Sequence, residues 1–422
     1  MNVKTTKNLG KLIALSLVAS TMLHATNGDN LIAIGTKARG MGGTGIAVSH
    51  GAESGISNPA MITSIESSEI SFGGTVFMPD ISTTISFPNM PLPPQANLSS
   101  DADLSMIPAV SLAHKVDENW YVGIGMWGVA GMGTDYRGNQ DLSVGNIGNM
   151  NMVTNLQLMQ FGVPIAYKTG GLSLGITPIV QYGALDIDYD GVDLNTFTPF
   201  SSGAGVAQDF GFGWNLGISY DFSQDGAPGL TIGAIYKSSI EMEYDEQLTT
   251  AVGPFTMGMP LTLLPDGDTL EQPEEFGAGI AYAMGQHTFA FDYRKIKWSD
   301  AKGYSAFGWD DSDVYAFGYA YAADNEWTVR LGYNYASSAV VEVMDPRLNF
   351  FNLLGFPATA EKHYTIGASY DVSNSFAVDL AYVYSPENTE TFSLAGLSAD
   401  PQGSISTDHS ENGISFQLTY KF

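Results

Sequence analysis

Cysteine is absent from the 422 residues, which removes disulfides, thiolate metal sites and cysteine nucleophiles and leaves burial and hydrogen bonding to hold the fold. Charge is scarce as well: 14% of residues are Asp, Glu, Lys or Arg, against about a quarter in an ordinary soluble domain. Basic residues are the rarest, 17 against 44 acidic, so the basic footprint of a nucleic-acid binder is missing and no nucleic-acid partner is expected. Beyond the N-terminus no apolar run reaches the ~18 residues of a membrane helix. If this chain meets a bilayer, it does so as strands.

The N-terminus has to be set aside first. Lys4, Lys7 and Lys11 precede an apolar run from Leu12 to Leu23 that ends in small residues near Ala25, the pattern of a secretory signal over residues 1–25. Its removal takes three of the 17 basic residues and no acidic one, leaving 14 against 44 and a formal charge of −30.

What is abundant is glycine, 48 residues, and aromatics, 12%. From residue 68 onward they alternate with period two, the mark of strands with different surroundings on their two faces. In "FGFGWNLGISYDF" (210–222), Phe210, Phe212, Trp214, Leu216 and Ile218 share one face and Gly211, Gly213, Asn215, Gly217 and Ser219 the other. A soluble sandwich would carry Lys, Glu and Thr outward and bulky aliphatics inward. Large apolar residues opposite small or polar ones describe a wall between lipid and a lumen.

Strands are expected near 68–78, 104–116, 120–129, 154–168, 172–189, 209–222, 230–244, 275–284, 287–299, 313–322, 327–337, 362–371, 376–386 and 413–422. The fold class is therefore all-β, a 14-stranded antiparallel transmembrane barrel over residues 67–422. Short turns such as 117–119, 170–171 and 285–286 alternate with longer connections such as 79–103, 130–153, 245–274 and 338–361, which places both barrel ends on the periplasmic side of a bacterial outer membrane. The terminal Phe422 closes a strand whose outward residues are Ile414, Phe416, Leu418 and Tyr420. It looks like the signal that outer-membrane barrels present to the barrel-assembly machinery.

One stretch fits neither period. "GMGGTGIAVSHGAESGISNPAMIT" (40–63) holds six glycines and an Asn-Pro break among scattered apolar residues. Fourteen strands enclose a lumen wider than side chains alone fill. Residues 26–66 are thus expected to fold inside it as a hatch, where irregular backbone is tolerated because it is buried in protein.

"GTGIAVSHGAESGISNPAMIT" (43–63), centred on Asn58-Pro59-Ala60, resembles the N-terminal hatch of the FadL-type outer-membrane transporters of long-chain fatty acids and hydrocarbons. "WYVGIGMWGVAGMGTDYRG" (120–138), "EQPEEFGAGIAYAM" (271–284), "VRLGYNYASSAV" (329–340) and "EKHYTIGASYDV" (361–372) are similar to later parts of that family, in the same order. The resemblance implies passive uptake of a hydrophobic ligand, a fatty acid or hydrocarbon, by capture in an external groove, transfer to an internal pocket and lateral escape into outer-membrane lipid at the third strand. It implies no cofactor, metal or catalysis.

The residues can be weighed beside it. Phe255, Met257, Met259 and Leu261 in one long loop and Phe350, Phe351 and Leu354 in another are apolar where loops are usually polar, and suit capture of a greasy ligand; the alternative is that the loops pack on each other as a cap. Gly123, Gly125 and Gly128 could weaken the third strand into a side exit, or merely leave lumen space. Inward charges are few, namely Lys237, Asp292, Arg294, Arg330 and Asp379, and a charge in a crowded lumen should be paired. Lys37 and Arg39 of the hatch could latch onto Asp292 or Asp379, while Arg330 or Lys237 could meet a fatty-acid carboxylate. The histidines remaining after the signal, at 50, 114, 287, 363 and 409, sit in no nucleophile-elbow or zinc-ligand spacing. A polar diffusion porin is the rival within transport, and it predicts an open lumen with rings of charge and no hatch.

Overall fold

The computed structural model describes residues 27–90, 95–138, 151–192, 199–256, 264–397 and 400–422; the signal at 1–25 lies outside them. Fourteen antiparallel strands close a barrel. In order they are Glu69–Ser86, Ser105–Lys115, Trp120–Met132, a fourth in two pieces (Val153–Gly162 and Ile165–Thr169), Leu172–Val192, Ala207–Asp221, Leu230–Lys237, Glu275–Met284, His287–Ile296, Ser312–Ala322, Trp327–Ala336, Lys362–Ser373, Phe376–Ser393 and Ser404–Lys421. Closure comes from the first strand, which pairs with the last in unbroken register from Glu69↔Lys421 to Ser86↔Ser404 and with the second on its other edge.

Alternation sets the two faces. Phe212, Phe72 and Ile124 are 74%, 63% and 59% exposed, whereas Gly123, Ser111 and Ser415, inward by parity, are buried. An outer wall this apolar belongs in hydrocarbon. The hairpins at one end are tight: Gly170 and Gly285, with φ of 56° and 61°, supply the left-handed residue that a two-residue turn needs.

At the long-loop end the strands run further than alternation of hydropathy indicates. The first continues to Ser86 through Pro79, the thirteenth to Ser393, and the last begins at Ser404. The outward faces of these extensions are Thr-, Ser- and Asp-rich while Ile81, Ile85, Phe392 and Ile405 stay buried inside, so the outward apolar signal stops while the ladder goes on. The seventh strand is shorter than expected. It ends at Lys237, and Ile240–Glu243 instead pairs with Thr269–Gln272 as a separate hairpin. The fourth is interrupted at Val163-Pro164, where Pro164, which has no N–H to give to a ladder, accepts from Gly123 N at 2.7 Å.

The inward glycines have an occupant. Residues 27–65 lie against them as short helical turns, Thr36–Gly40, Gly51–Glu53, Ser54–Ser57 and Pro59–Ser64, joined by irregular chain. A Cβ added at Gly332 would collide with Gly42 N, at Gly233 with Ile46 O, and at Gly367 it would meet Gly40 Cα at 3.0 Å. Backbone meets backbone there, and only glycine permits it. Gly332→Ala should therefore leave the barrel folded, with its heat-modifiable mobility on gels, while displacing the segment. N-terminal sequencing should find new tryptic cuts after Lys37 or Arg39, and continued resistance would mean that Gly332 does not seat it.

Candidate functional site: an apolar column and a seam in the wall

The polar groups of residues 27–65 are tied to inward side chains. Asp292, 1% exposed, accepts from Gly45 N at 2.7 Å and Ile46 N at 2.9 Å. Thr365 accepts from Gly42 N, Gln417 from Thr36 N, and Glu69 from Ala52 N. Asn58 accounts for its motif. Its side chain accepts from Ala60 N, starting the turn that Pro59 opens, while its amide donates to Ile46 O and, across to the sixth strand, Ile218 O. Pro59 fits over Gly175, and Ala60 is fully buried.

Of the pairs that spacing suggests, Lys37 with Asp379 is present and those to Asp292 are not. Asp292 holds backbone, not Lys37 or Arg39, because Gly45 and Ile46 pass directly over it. Lys37 Nζ lies 4.0 Å from Asp379 Oδ2, and Arg330 reaches the same carboxylate through the hydroxyl of Ser369. Arg39 donates to Ala33 O, and the carboxylate acting on its charge is Glu411 of the last strand, beside His363 at 3.1 Å. Burial pushes Glu53 up to about 7, against the pull of Lys37. It likewise pushes Asp29 up to about 6, against hydrogen bonds from Tyr304 and Gln272. Lys237 is engaged by Glu275 at 3.2 Å, its directly opposite neighbour on the eighth strand, with Arg294 at 3.8 Å from the same carboxylate. Arg330 borders a polar cavity of about 630 Å³ at the short-turn end, and Lys237 a smaller one of about 90 Å³ walled by Ile32, Ile34, Ile46 and Ile235.

At the long-loop end the connections pack into a cap. Phe350, Phe351 and Leu354, expected as an open capture surface, are 3%, 2% and 0% exposed. They belong to a helix, Pro346–Gly355, which Asp345 caps by accepting from Arg347 N, and they pack on neighbouring loops because so much apolar surface is not left in water. The other expected capture residues, Met257, Met259 and Leu261, lie outside the described residues, as does the side chain of Phe255. Below the cap one apolar cluster continues inward, from Phe351 and Leu354 through Met152 and Leu156 to Trp127 and Val129 of the third strand.

The column ends at a fault in the wall. The third strand pairs with the second only as far as Trp127↔Ala109, and past Gly128 its ladder with the fourth slips at Val129. The vacated edge is taken by the chain's own N-terminal residues. Leu31 N donates to Val129 O, Gly131 N donates to Asp29 O, and Asn30 bridges Ala130. Leu31, Phe77 and Ile107 form an apolar patch at this gap. Gly123 and Gly125 are not part of it, for both stand in paired ladder: Gly123 makes room for Pro164, and Gly125 lies under the Trp127 indole, whose Nε1 donates to Ser111. Gly128 marks its start. Sequence reading missed Glu275, Glu53 and Glu411; only Glu275 carried a signal, as the cross-strand partner of Lys237.

A closed 14-stranded barrel with an apolar outer wall and an apolar column inside defines an outer-membrane transport protein for hydrophobic compounds. Residues 16–422 match the family described as outer membrane protein transport protein (OMPP1/FadL/TodX), and the chain belongs to that family. It is 22% identical to the 47 kDa outer membrane protein of Pasteurella multocida, over 93% of this chain and 95% of the other. It is 25% identical to the long-chain fatty acid transport protein of Escherichia coli O6:H1, over 67% and 71%. In fold it is similar to the Pseudomonas aeruginosa FadL homologue, with a TM-score of 0.69, 16% identity and 96% and 100% coverage. It is also similar to the P. putida toluene transporter TodX, with a TM-score of 0.67, 18% identity and 93% and 99% coverage.

Asp292→Ala would leave two buried amides without an acceptor, each worth about 1–3 kcal/mol. Hydrogen exchange at residues 44–47 should quicken by roughly ten-fold or more while the strand amides stay protected. Unchanged exchange at 44–47 would show that the carboxylate does not hold the segment.

Proposed function

We propose that the chain is a passive channel, not an enzyme, through which hydrophobic compounds cross the outer membrane, with long-chain fatty acids as the leading substrate class. The observation that carries this reading is the unbroken apolar cluster from the cap to the third-strand gap. A ligand taken in at the long-loop end, facing outward, would descend among Met152, Leu156 and Trp127. It would leave sideways between the second and third strands into membrane lipid, avoiding transfer of apolar surface into the periplasm. Residues 26–66 act as the hatch, and the short-turn end with both barrel termini faces the periplasm. Phe422, half of whose surface or more is exposed, serves as the contact for the barrel-assembly machinery.

A second reading, a neutral hydrocarbon as cargo, is favoured by one observation. Lys237, one of two cations lining the smaller inner cavity, is already paired with Glu275, so a carboxylate arriving there would have to displace an existing partner. The relatives divide the same way, one named for long-chain fatty acids and one for toluene.

Uptake of labelled oleate and of labelled toluene by cells lacking their own such transporter tests both. Oleate uptake by the wild-type chain that is lost on deletion of residues 27–62 supports a hatch-coupled fatty-acid channel; toluene uptake alone moves the substrate to hydrocarbons. Leu31→Pro, which removes the N–H given to Val129, should loosen the gap and raise release of whichever compound is carried. Leakage of small sugars through the intact chain, with neither compound entering, overturns the proposal.

A further inference from the structure

The helix Pro346–Gly355 connects the eleventh and twelfth strands, yet its last residues are held on the far side of the mouth. Thr407 of the last strand donates its hydroxyl to Leu353 O at 2.9 Å, Thr134 at the end of the third strand donates to Leu354 O at 2.9 Å, and Thr154 of the fourth donates to Gly355 O. A helix of this length spans about 15 Å, so it lies as a bar across the opening. The last carbonyls of a helix have no partner within it, and here three strands supply one each.

We propose that this helix is a displaceable lid over the apolar column, an inference that rests on the transport reading above. Its apolar residues Phe351 and Leu354 are those that begin the column and share one buried cluster with Met152 and Leu156, and a Cβ built on Gly355 at its end would lie 3.2 Å from Met152 Sδ. A ligand cannot reach those positions while the helix is seated. Nothing in the barrel ladder has to break for it to leave, because the helix is outside the sheet: besides the three hydroxyls, Asn349 donates to Ser393 O of the thirteenth strand at 3.0 Å, and Asn352 accepts from Trp309 Nε1 and donates to Phe307 O. The ligand substitutes for the lid: apolar surface exposed when Phe351 and Leu354 lift away is covered again by the incoming molecule.

The absence of cysteine makes a clean test. A Cβ built on Gly355 lies 3.1 Å from Thr154 Cγ2, within reach of a disulfide. In Gly355→Cys/Thr154→Cys the oxidised form should lose uptake to the level of cells without the protein, and reductant should restore it. In the other direction Thr134→Val and Thr407→Val should each raise uptake roughly five-fold, the weight of one net hydrogen bond. Full uptake by verified cross-linked protein overturns the lid while leaving the transport reading intact; absence of uptake by the wild-type chain overturns the transport reading. The lid is then judged by hydrogen exchange of the wild-type protein in detergent, where amides of 350–355 should exchange well ahead of strand amides and slow on cross-linking. Exchange as slow as that of the strands overturns it.

Discussion

Everything in this molecule follows from the requirement that backbone polar groups shielded from water must be paired. Strands meet it for one another, and the eighteen-residue pairing of the first with the last strand joins the two edges the main sheet would otherwise leave open. The closed ring then creates the same demand again on its inside. The irregular segment against the inward glycines has amides that no ladder satisfies, and Asp292 answers two of them while Thr365, Gln417 and Glu69 answer one each.

That division explains how a chain with so few charges spends them. Glu275 lies within ion-pair reach of both Lys237 and Arg294, and Asp379 serves Lys37 directly and Arg330 through Ser369. Buried ions of this kind add little stability over apolar replacements, but losing one member is costly. Their worth lies in fixing where an irregular chain sits. Apolar surface is reserved for another place, the column between cap and gap.

The wall was legible in the sequence and the filling largely was not. Period two is a property of neighbours two residues apart, so Phe210, Phe212 and Trp214 announce their face without reference to anything distant. The same rule fell silent at Thr83 to Ser86 and at Ser404 to Asp408, where the outward face turns polar while Ile85 and Ile405 stay buried inside, and it gave no warning that the seventh strand would stop at Lys237. Asn58-Pro59-Ala60 could be recognised as a turn, but that its amide reaches Ile218 depends on contacts 160 residues away. Spacing led to Gly123 and Gly125 as the weak point of the third strand, because glycine content is visible and loss of a pairing partner is not. The burial of Phe350 and Phe351 was equally hidden, since an apolar loop reads alike whether it faces water or its neighbours.

The segment against the inward glycines also bears on the order of events during maturation. Gly45 and Ile46 find Asp292 across about 250 residues of chain, and Gly42 finds Thr365 across 323. Such contacts cannot form until most of the polypeptide has been delivered. The segment is also joined directly to the first strand, one of the two that make the closing seam. Its final place is therefore set only once residues some 250 to 320 positions later in the chain have been made.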